Sequence, residues 1–194
     1  MKDISLIGFM GCGKSSVGKI LATLLPECRL IDLDTYIEEK QGKNIPEIFN
    51  EYGEAAFRRM EREALEEIFS DKSRPRAILS LGGGTVTSEQ CRQLIRQHTD
   101  CFYLRATTDT LLDNLEGHTD GRPMLNPTQP DEAPLTEVPS EREALRHRIE
   151  SLMQTRSPQY LATAHHIIDI DGLSFTQIAE IIKEAVEANS LNIK

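Results

Sequence analysis

The chain has no tryptophan, only four cysteines, and a shortage of positive charge: 22 Lys and Arg stand against 31 Asp and Glu, a formal net charge of −9 over 194 residues. Each shortage excludes something. Without an overall basic patch, nucleic acid is excluded as the main partner. No apolar run approaches the roughly 20 residues of a membrane-spanning helix, so no membrane partner is expected. The first apolar segment begins at Ile4, with no secretory leader before it. Cys12, Cys28, Cys91 and Cys101 form no C-x-x-C pair and no metal-like cluster with histidine. They read as reduced thiols, and the protein as cytoplasmic. No N-K-x-D sequence is present to read guanine, which argues against a GTPase. There is no internal repeat and no linker. With 39% hydrophobic residues, six Phe and four Tyr, the chain supports one aliphatic core in a single domain over 1–194.

What is present begins near the start. Gly8-Phe9-Met10-Gly11-Cys12-Gly13-Lys14-Ser15 fits G-x-x-x-x-G-K-[ST] at every fixed position. Ile4-Ser5-Leu6-Ile7 before it reads as a buried parallel strand. Val17, Ile20, Leu21, Leu24 and Leu25 after it recur at helical spacing. Strand, glycine loop and helix together aim backbone N–H groups and the positive helix end at phosphate oxygens. The expected nucleotide contacts are Gly11, Cys12, Gly13, Lys14, Ser15 and Ser16. Lys14 reaches the β- and γ-phosphates and Ser15 ligates Mg²⁺. An ordinary glycine turn would leave Lys14 unexplained.

Strands and helices alternate along the rest. Arg29–Asp32, Ala77–Leu81, Cys101–Leu104 and His166–Asp169 read as further strands. Thr35–Gln41, Ile45–Tyr52, Glu54–Phe69, Thr108–Leu115 and Ser140–Tyr160 read as helices, the last open to interruption near Pro158. Capping boxes at Thr87–Gln90 and Ser174–Gln177 open two more. Glu116 to Pro139 holds five prolines and two glycines and has no apolar period. It reads as a long loop, a candidate mobile lid. The alternation predicts a three-layer α/β/α fold around a five-stranded parallel sheet. Ligands in such sheets sit at the carboxyl ends of the strands, where the glycine loop, Asp32, Asp34 and Gly82-Gly83-Gly84 all fall.

Several constellations carry chemistry. Asp32-Leu33-Asp34 is read as the end of a strand, with period two placing both carboxylates on one side. One holds Mg²⁺ and the other accepts a proton from an attacking hydroxyl; the plainer reading is an N-cap for the next helix, with Asp34 able to serve. Arg58 and Glu61, three apart on a helix, share a face. They form either a solvated ion pair or a braced anion clamp. Three successive glycines cost conformational entropy and are justified where the chain turns sharply or a ligand touches the backbone. Arg122, between Gly121 and Pro123 on the lid, is placed to close over a transferring phosphate. Arg156, late in a helix, is otherwise a partner for the helix dipole.

Together these segments resemble the shikimate kinase family, of the nucleoside monophosphate kinase-like P-loop class. The resemblance rests on six motifs in family order: the P-loop, Asp32 to Asp34, Phe57 to Glu61, Gly82 to Gly84, Arg122-Pro123-Met124-Leu125, and Arg156 to Tyr160. It implies transfer of the ATP γ-phosphate to the 3-hydroxyl of shikimate, in aromatic amino-acid synthesis, with one Mg²⁺ per subunit alongside ATP. It implies a monomer. Lys14, Asp34 and Arg122 would be catalytic, with Arg122 also on the nucleotide. Arg58 and Arg156 would clamp the shikimate carboxylate, with Asp34 and the backbone of Gly82, Gly83 and Gly84 lining the pocket. Ser15 and Asp32 would hold the metal. Two departures stand out: Leu115 occupies the place of an adenine-stacking arginine, and residues 126–139 lengthen the lid. Competing readings are a gluconate-type sugar-acid kinase, which leaves the triple glycine and the Phe57–Glu61 helix unexplained, and a silent nucleotide-binding module. The latter class usually loses the lysine, an acid or the acceptor arginines, all of which this chain keeps. Cys12, at a helix N-terminus, is expected to be oxidation-sensitive. His165 and His166 read as structural or surface residues.

Overall fold

Alternation at period two decides which layer each strand residue enters. The computed structural model describes residues 2–116 and 140–191. Arg122 and nearly all of the expected lid lie outside the described residues. Five strands form one parallel sheet: β1 (Asp3–Ile7), β2 (Cys28–Asp32), β3 (Arg76–Ser80), β4 (Thr99–Arg105) and β5 (His166–Asp169). Their order is β2-β3-β1-β4-β5. On one face, Ile4, Leu6, Ile78, Phe102 and Leu104 pack with helices α1 (Lys14–Leu24) and α7 (Phe175–Leu191) through Val17, Leu21, Ile178 and Ile182. On the other, Ile7, Leu79, Cys101 and Tyr103 meet α2 (Leu33–Gln41), α3 (Ile45–Ser70) and α4 (Glu89–His98) through Ile37, Phe57, Leu65 and Ile95. The expected five-stranded parallel sheet between helical layers is thus present. Ser5 is fully buried, but its hydroxyl meets Thr99 Oγ1 at 2.7 Å, so no polar atom there is orphaned. Among the described residues no helix is long and apolar enough to cross a membrane.

The order makes β1 the switch point. The chain leaves β1 toward β2 on one side and later crosses from β3 to β4 on the other, so the loops after β1 and β3 sit side by side.

Helix ends follow local chemistry. Gly42 closes α2 in the left-handed region at φ 65°, as its position predicts. The two helices expected on either side of Gly53 are both present, joined into α3 by a kink where Gly53 leaves the helical region at φ 77° and ψ 169°. Ser174 and Gln177 form the expected reciprocal cap of α7. The cap of α4 shifts by one residue. Ser88, not Thr87, accepts the Cys91 N–H, because Thr87 belongs to a 3₁₀ turn (Thr85–Thr87) and bonds Gly84 O. Two further boxes, Asn44–Glu47 and Ser140–Glu143, open α3 and the helix after residue 140. Helix α5 spans Thr108–Leu115, and α6 (Glu141–Thr163) runs through Pro158 without interruption.

Candidate active site

Helix α1 starts differently from the other capped helices. Its N-cap is Gly13, at φ 88°, with no side-chain cap, whereas Asp32, Asn44, Ser88, Thr107 and Ser140 cap theirs. The first N–H groups of α1 therefore have no competing side chain in front of them. Gly8 and Gly11 also hold positive φ, at 147° and 82°. A Cβ on Gly8 would lie 2.6 Å from Leu104 O, and one on Gly13 2.5 Å from the Phe175 ring. Lys14 Nζ donates to Gly8 O at 2.9 Å and Phe9 O at 3.0 Å. These are neutral acceptors that phosphate oxygens outcompete by charge.

The loop forms one wall of a cleft of about 420 Å³. Across from it stand Asp32, Asp34, Ser80, Gly82 and Gly83. Strand β2 ends at Asp32, and Asp34 lies in the first turn of α2. The two carboxylates thus share the cleft by strand-to-helix geometry, correcting the period-two argument. Asp32 divides its work: Oδ1 caps α2 by accepting Asp34 N–H at 3.2 Å, and Oδ2 accepts the Ser15 hydroxyl at 2.8 Å. Ser15 Oγ also lies 3.1 Å from Ser80 Oγ. This is an oxygen-only donor set, suited to a hard cation that takes its remaining ligands from phosphate and water. Among the described residues no group of three His, Cys, Asp or Glu could hold a metal by itself. Asp34 does not cap. Its Oδ1 is buried without a hydrogen-bond partner. Burial, then the Glu61 and Asp32 charges, push Asp34 up to about 7, against the pull of Lys14. A carboxyl with a vacant acceptor atom and a pKa near neutrality is equipped to take a proton.

Glu61 is fully buried on the apolar face of α3. Its Oε2 accepts from Arg58 Nη1 at 2.7 Å, while Glu54 accepts from Nη2 at 2.8 Å. The solvated-pair reading of Arg58 and Glu61 is therefore replaced by a braced guanidinium. Arg156 is no dipole partner. It is 3% exposed, directs Nη1 at Gly83 O (3.5 Å), and lies 5.9 Å over the Phe9 ring. Burial, and the positive charge of Arg58, hold its guanidinium below the usual range. Among the described residues it forms no ion pair. The triple glycine explains the convergence without any positive φ. A Cβ on Gly84 would meet Arg58 Cζ at 2.7 Å. One on Gly83 would reach Met10 N at 3.0 Å, and one on Gly82 Asp34 Oδ1 at 2.9 Å. Tyr160 Oη pins Gly83 O at 2.5 Å. The sharp-turn reading thus yields to close approach by the protein's own side chains and backbone.

The structure brings together Gly11, Gly13, Lys14, Ser15, Ser16, Asp32, Asp34, Gly82 and Gly83 around the cleft, with Arg58, Gly84 and Arg156 beside it. Leu115 is core, fully buried against Gly11. Besides Met10 and Leu81, which sit inside the P-loop and next to the glycines, three lining residues lie outside the expected set. Ser80 closes β3 next to the glycines and was discoverable from the strand-end rule. Asn114, which donates to Gly11 O at 2.9 Å, and Phe175, 42% exposed yet against the P-loop, carried no local signal. His165 Nδ1 accepts the Cys101 N–H at 3.0 Å and His166 stacks on Phe102, so both are structural. Cys12 is fully buried, with Sγ 3.7 Å from Lys14 Nζ. Burial stands against the expected oxidation sensitivity. Mass-spectrometric mapping after iodoacetamide treatment should find Cys12 modified only once the protein is denatured; modification of the native protein would show that the loop opens.

The comparisons agree with this geometry. The family model described as shikimate kinase matches residues 10–187. A shikimate kinase of Chlorobaculum tepidum is 43% identical over 164 residues, covering 83% of this chain and 80% of that one. One of Thermodesulfovibrio yellowstonii is 37% identical over 185 residues, 95% of each. A solved structure, shikimate kinase from Acinetobacter baumannii in complex with shikimate, matches with a TM-score of 0.83 at 30% identity, over 98% of this chain and 96% of that one. A P-loop facing the Asp34 carboxyl, a half-buried Arg58 and a buried Arg156 gathered on one glycine segment, and likeness along nearly its whole length place the chain in the shikimate kinase family.

Proposed function

We propose that the protein transfers the γ-phosphate of ATP to the 3-hydroxyl of shikimate, giving shikimate 3-phosphate and ADP in chorismate and aromatic amino-acid biosynthesis, as a cytoplasmic monomer. The observation that carries the acceptor is Arg156, a buried guanidinium with no carboxylate partner among the described residues, gathered with Arg58 on the segment that borders Asp34. A buried charge requires a counter-ion. A small acid whose carboxylate meets both guanidinium forks supplies one and presents its hydroxyl toward Asp34.

In this reading Asp34 Oδ1 accepts the proton of the attacking hydroxyl and holds that oxygen in line with the γ-phosphorus. The backbone of Gly82, Gly83 and Gly84 borders the acceptor, and their lack of side chains lets Arg58 and Asp34 converge on it. Lys14 exchanges its two carbonyl partners for β- and γ-phosphate oxygens, and the N–H groups of Gly11, Cys12, Gly13, Ser15 and Ser16 donate to the rest, Cys12 leaving Phe9 O (3.2 Å) to do so. Ser15 and Asp32 would hold Mg²⁺, which when bound neutralises phosphate charge. Arg122, outside the described residues, is assigned by its motif to cover the transferring group and exclude water. With Leu115 in the core, the exposed face of Phe175 at the P-loop is the surface left for the base, beside Asn114. Phe175→Ala should raise the nucleotide KM about tenfold, the loss of one base-aromatic stack, and leave the acceptor KM unchanged. Steady-state titration of each substrate decides it; an unmoved nucleotide KM would take Phe175 out of the site.

The test of function is ADP release from Mg-ATP with shikimate, gluconate or no acceptor. Turnover with shikimate alone is expected. Turnover with gluconate alone would reassign the two arginines, and ATP binding without acceptor-dependent turnover would establish a silent module.

A further inference from the structure

Thr85 is the first residue of the 3₁₀ turn after the glycines, and it is fully buried. Its hydroxyl donates to Glu61 Oε1. The other oxygen of the same carboxylate takes Arg58 Nη1 at 2.7 Å. The backbone N–H of Thr85 donates to Gly82 O at 3.1 Å. The point where a Cβ would stand on Gly82 lies 3.1 Å from Thr85 Oγ1, 3.1 Å from Glu61 Oε1 and 2.9 Å from Asp34 Oδ1. One hydroxyl and two carboxylates therefore close around a single glycine. We propose that Thr85 is a positioning residue for acceptor recognition, fixing the Glu61 carboxylate so that Glu61 holds Arg58 in its binding geometry.

The inference rests on the reading of Arg58 as an acceptor-carboxylate ligand. Its physical basis is the behaviour of a buried carboxylate. Glu61 is fully buried, so each oxygen needs a donor from the protein. Arg58 serves one oxygen and Thr85 the other. With the hydroxyl removed, Oε1 is orphaned, and the carboxylate relieves itself by rotating or by taking a proton. Either response loosens its grip on Arg58. The remaining partner, Glu54, sits on an exposed part of the helix and does not fix the guanidinium by itself. Among the described residues Thr85, Glu61 and Arg58 form no hydrogen bond to the P-loop, so the nucleotide half of the site is unaffected.

The test is a steady-state comparison of Thr85→Val, which keeps shape and removes the hydroxyl, with Thr85→Ser, which keeps the hydroxyl. Thr85→Val should raise the shikimate KM about tenfold, as expected for one orphaned buried acceptor. The ATP KM should stay within about twofold, a split between the two KM values that general loss of folding does not produce. Thr85→Ser should restore the shikimate KM. If Thr85→Val is poorly folded, Thr85→Ser and Thr85→Ala carry the same contrast. An unchanged shikimate KM in folded Thr85→Val overturns the inference, as does a joint change of both KM values that Thr85→Ser fails to rescue. Arg58→Ala in the same assay separates the two levels. If it leaves the shikimate KM unmoved, the Arg58 reading itself fails. If it raises that KM while Thr85→Val does not, only the role of Thr85 falls. In the Arg58→Ala background, Thr85→Val should add nothing further to the shikimate KM.

Discussion

Asp34→Asn should lower kcat by about 10²–10⁴-fold, the range of a positioned general base, and at the same time stabilise the free enzyme at alkaline pH. Both effects come from one environment. The carboxyl is pushed up to about 7 by burial and by neighbouring carboxylates, whereas an unfolded chain titrates it near 4. The sign follows from linkage. A folded pKa above the unfolded value means that the native state binds the extra proton. Stability from this group is therefore complete below about pH 4 and is lost as pH rises through about 7. Above that, an ionised Asp34 costs about 2–4 kcal/mol, roughly three pKa units at 1.36 kcal/mol each, reduced because the cleft admits water. Asn carries no such charge. Denaturant unfolding of both proteins at pH 4.5 and pH 8 should show the variant gaining on the wild type only at the higher pH. A pH-independent gap would mean that Asp34 titrates normally, and turnover within tenfold of wild type would mean that another group takes the proton.

Arg58→Ala should raise the shikimate KM by at least about a hundredfold, the loss of a charge-assisted pair of hydrogen bonds, with the ATP KM within about twofold. The same substitution strips the buried Glu61 of its counter-ion. Leaving one partner of a buried pair costs about 3–5 kcal/mol. Burial already raises the Glu61 pKa, and protonation relieves part of that cost. The double variant Arg58→Ala with Glu61→Gln separates the two consequences. It should recover most of the stability, by thermal or denaturant unfolding, without recovering acceptor affinity. If the double variant binds shikimate normally, Arg58 braces the helix and does not touch the acceptor. If the single variant weakens both substrates equally, its effect is on the fold as a whole.

Much of this site was legible in the chain because its chemistry is local. A P-loop needs two glycines, a lysine and a serine or threonine within eight residues, between an apolar strand and an amphipathic helix, and all of that is contiguous from Gly8 to Ser15. The helix ends at Gln41 and Tyr52 are readable for the same reason, since a positive-φ glycine that stops or kinks a helix is a property of a few bonds. The cap of α4 falls at Ser88, one residue past Thr87, because the tertiary demand of the 3₁₀ turn at Thr85 outranks the local pattern. The place of Asp34 was misjudged because Asp32 could cap, which started the helix two residues early.

By itself, then, the sequence determined the α/β alternation, the phosphate loop and the cast of charged residues, since these depend on spacing and on residue type. Only the tertiary structure decided that Glu61 is buried, that Arg156 reaches Gly83 across 73 positions of chain, that Thr85 meets Glu61 across 24, and that Phe175 faces the P-loop while Leu115 is core. It also decided why the glycines stand at Gly82, Gly83 and Gly84: not for a left-handed turn, but because a guanidinium, a carboxylate and the P-loop backbone press against them. Burial and close approach are properties of what the fold places opposite a residue. The strand order β2-β3-β1-β4-β5 sets those opposites, and no spacing along the chain encodes it.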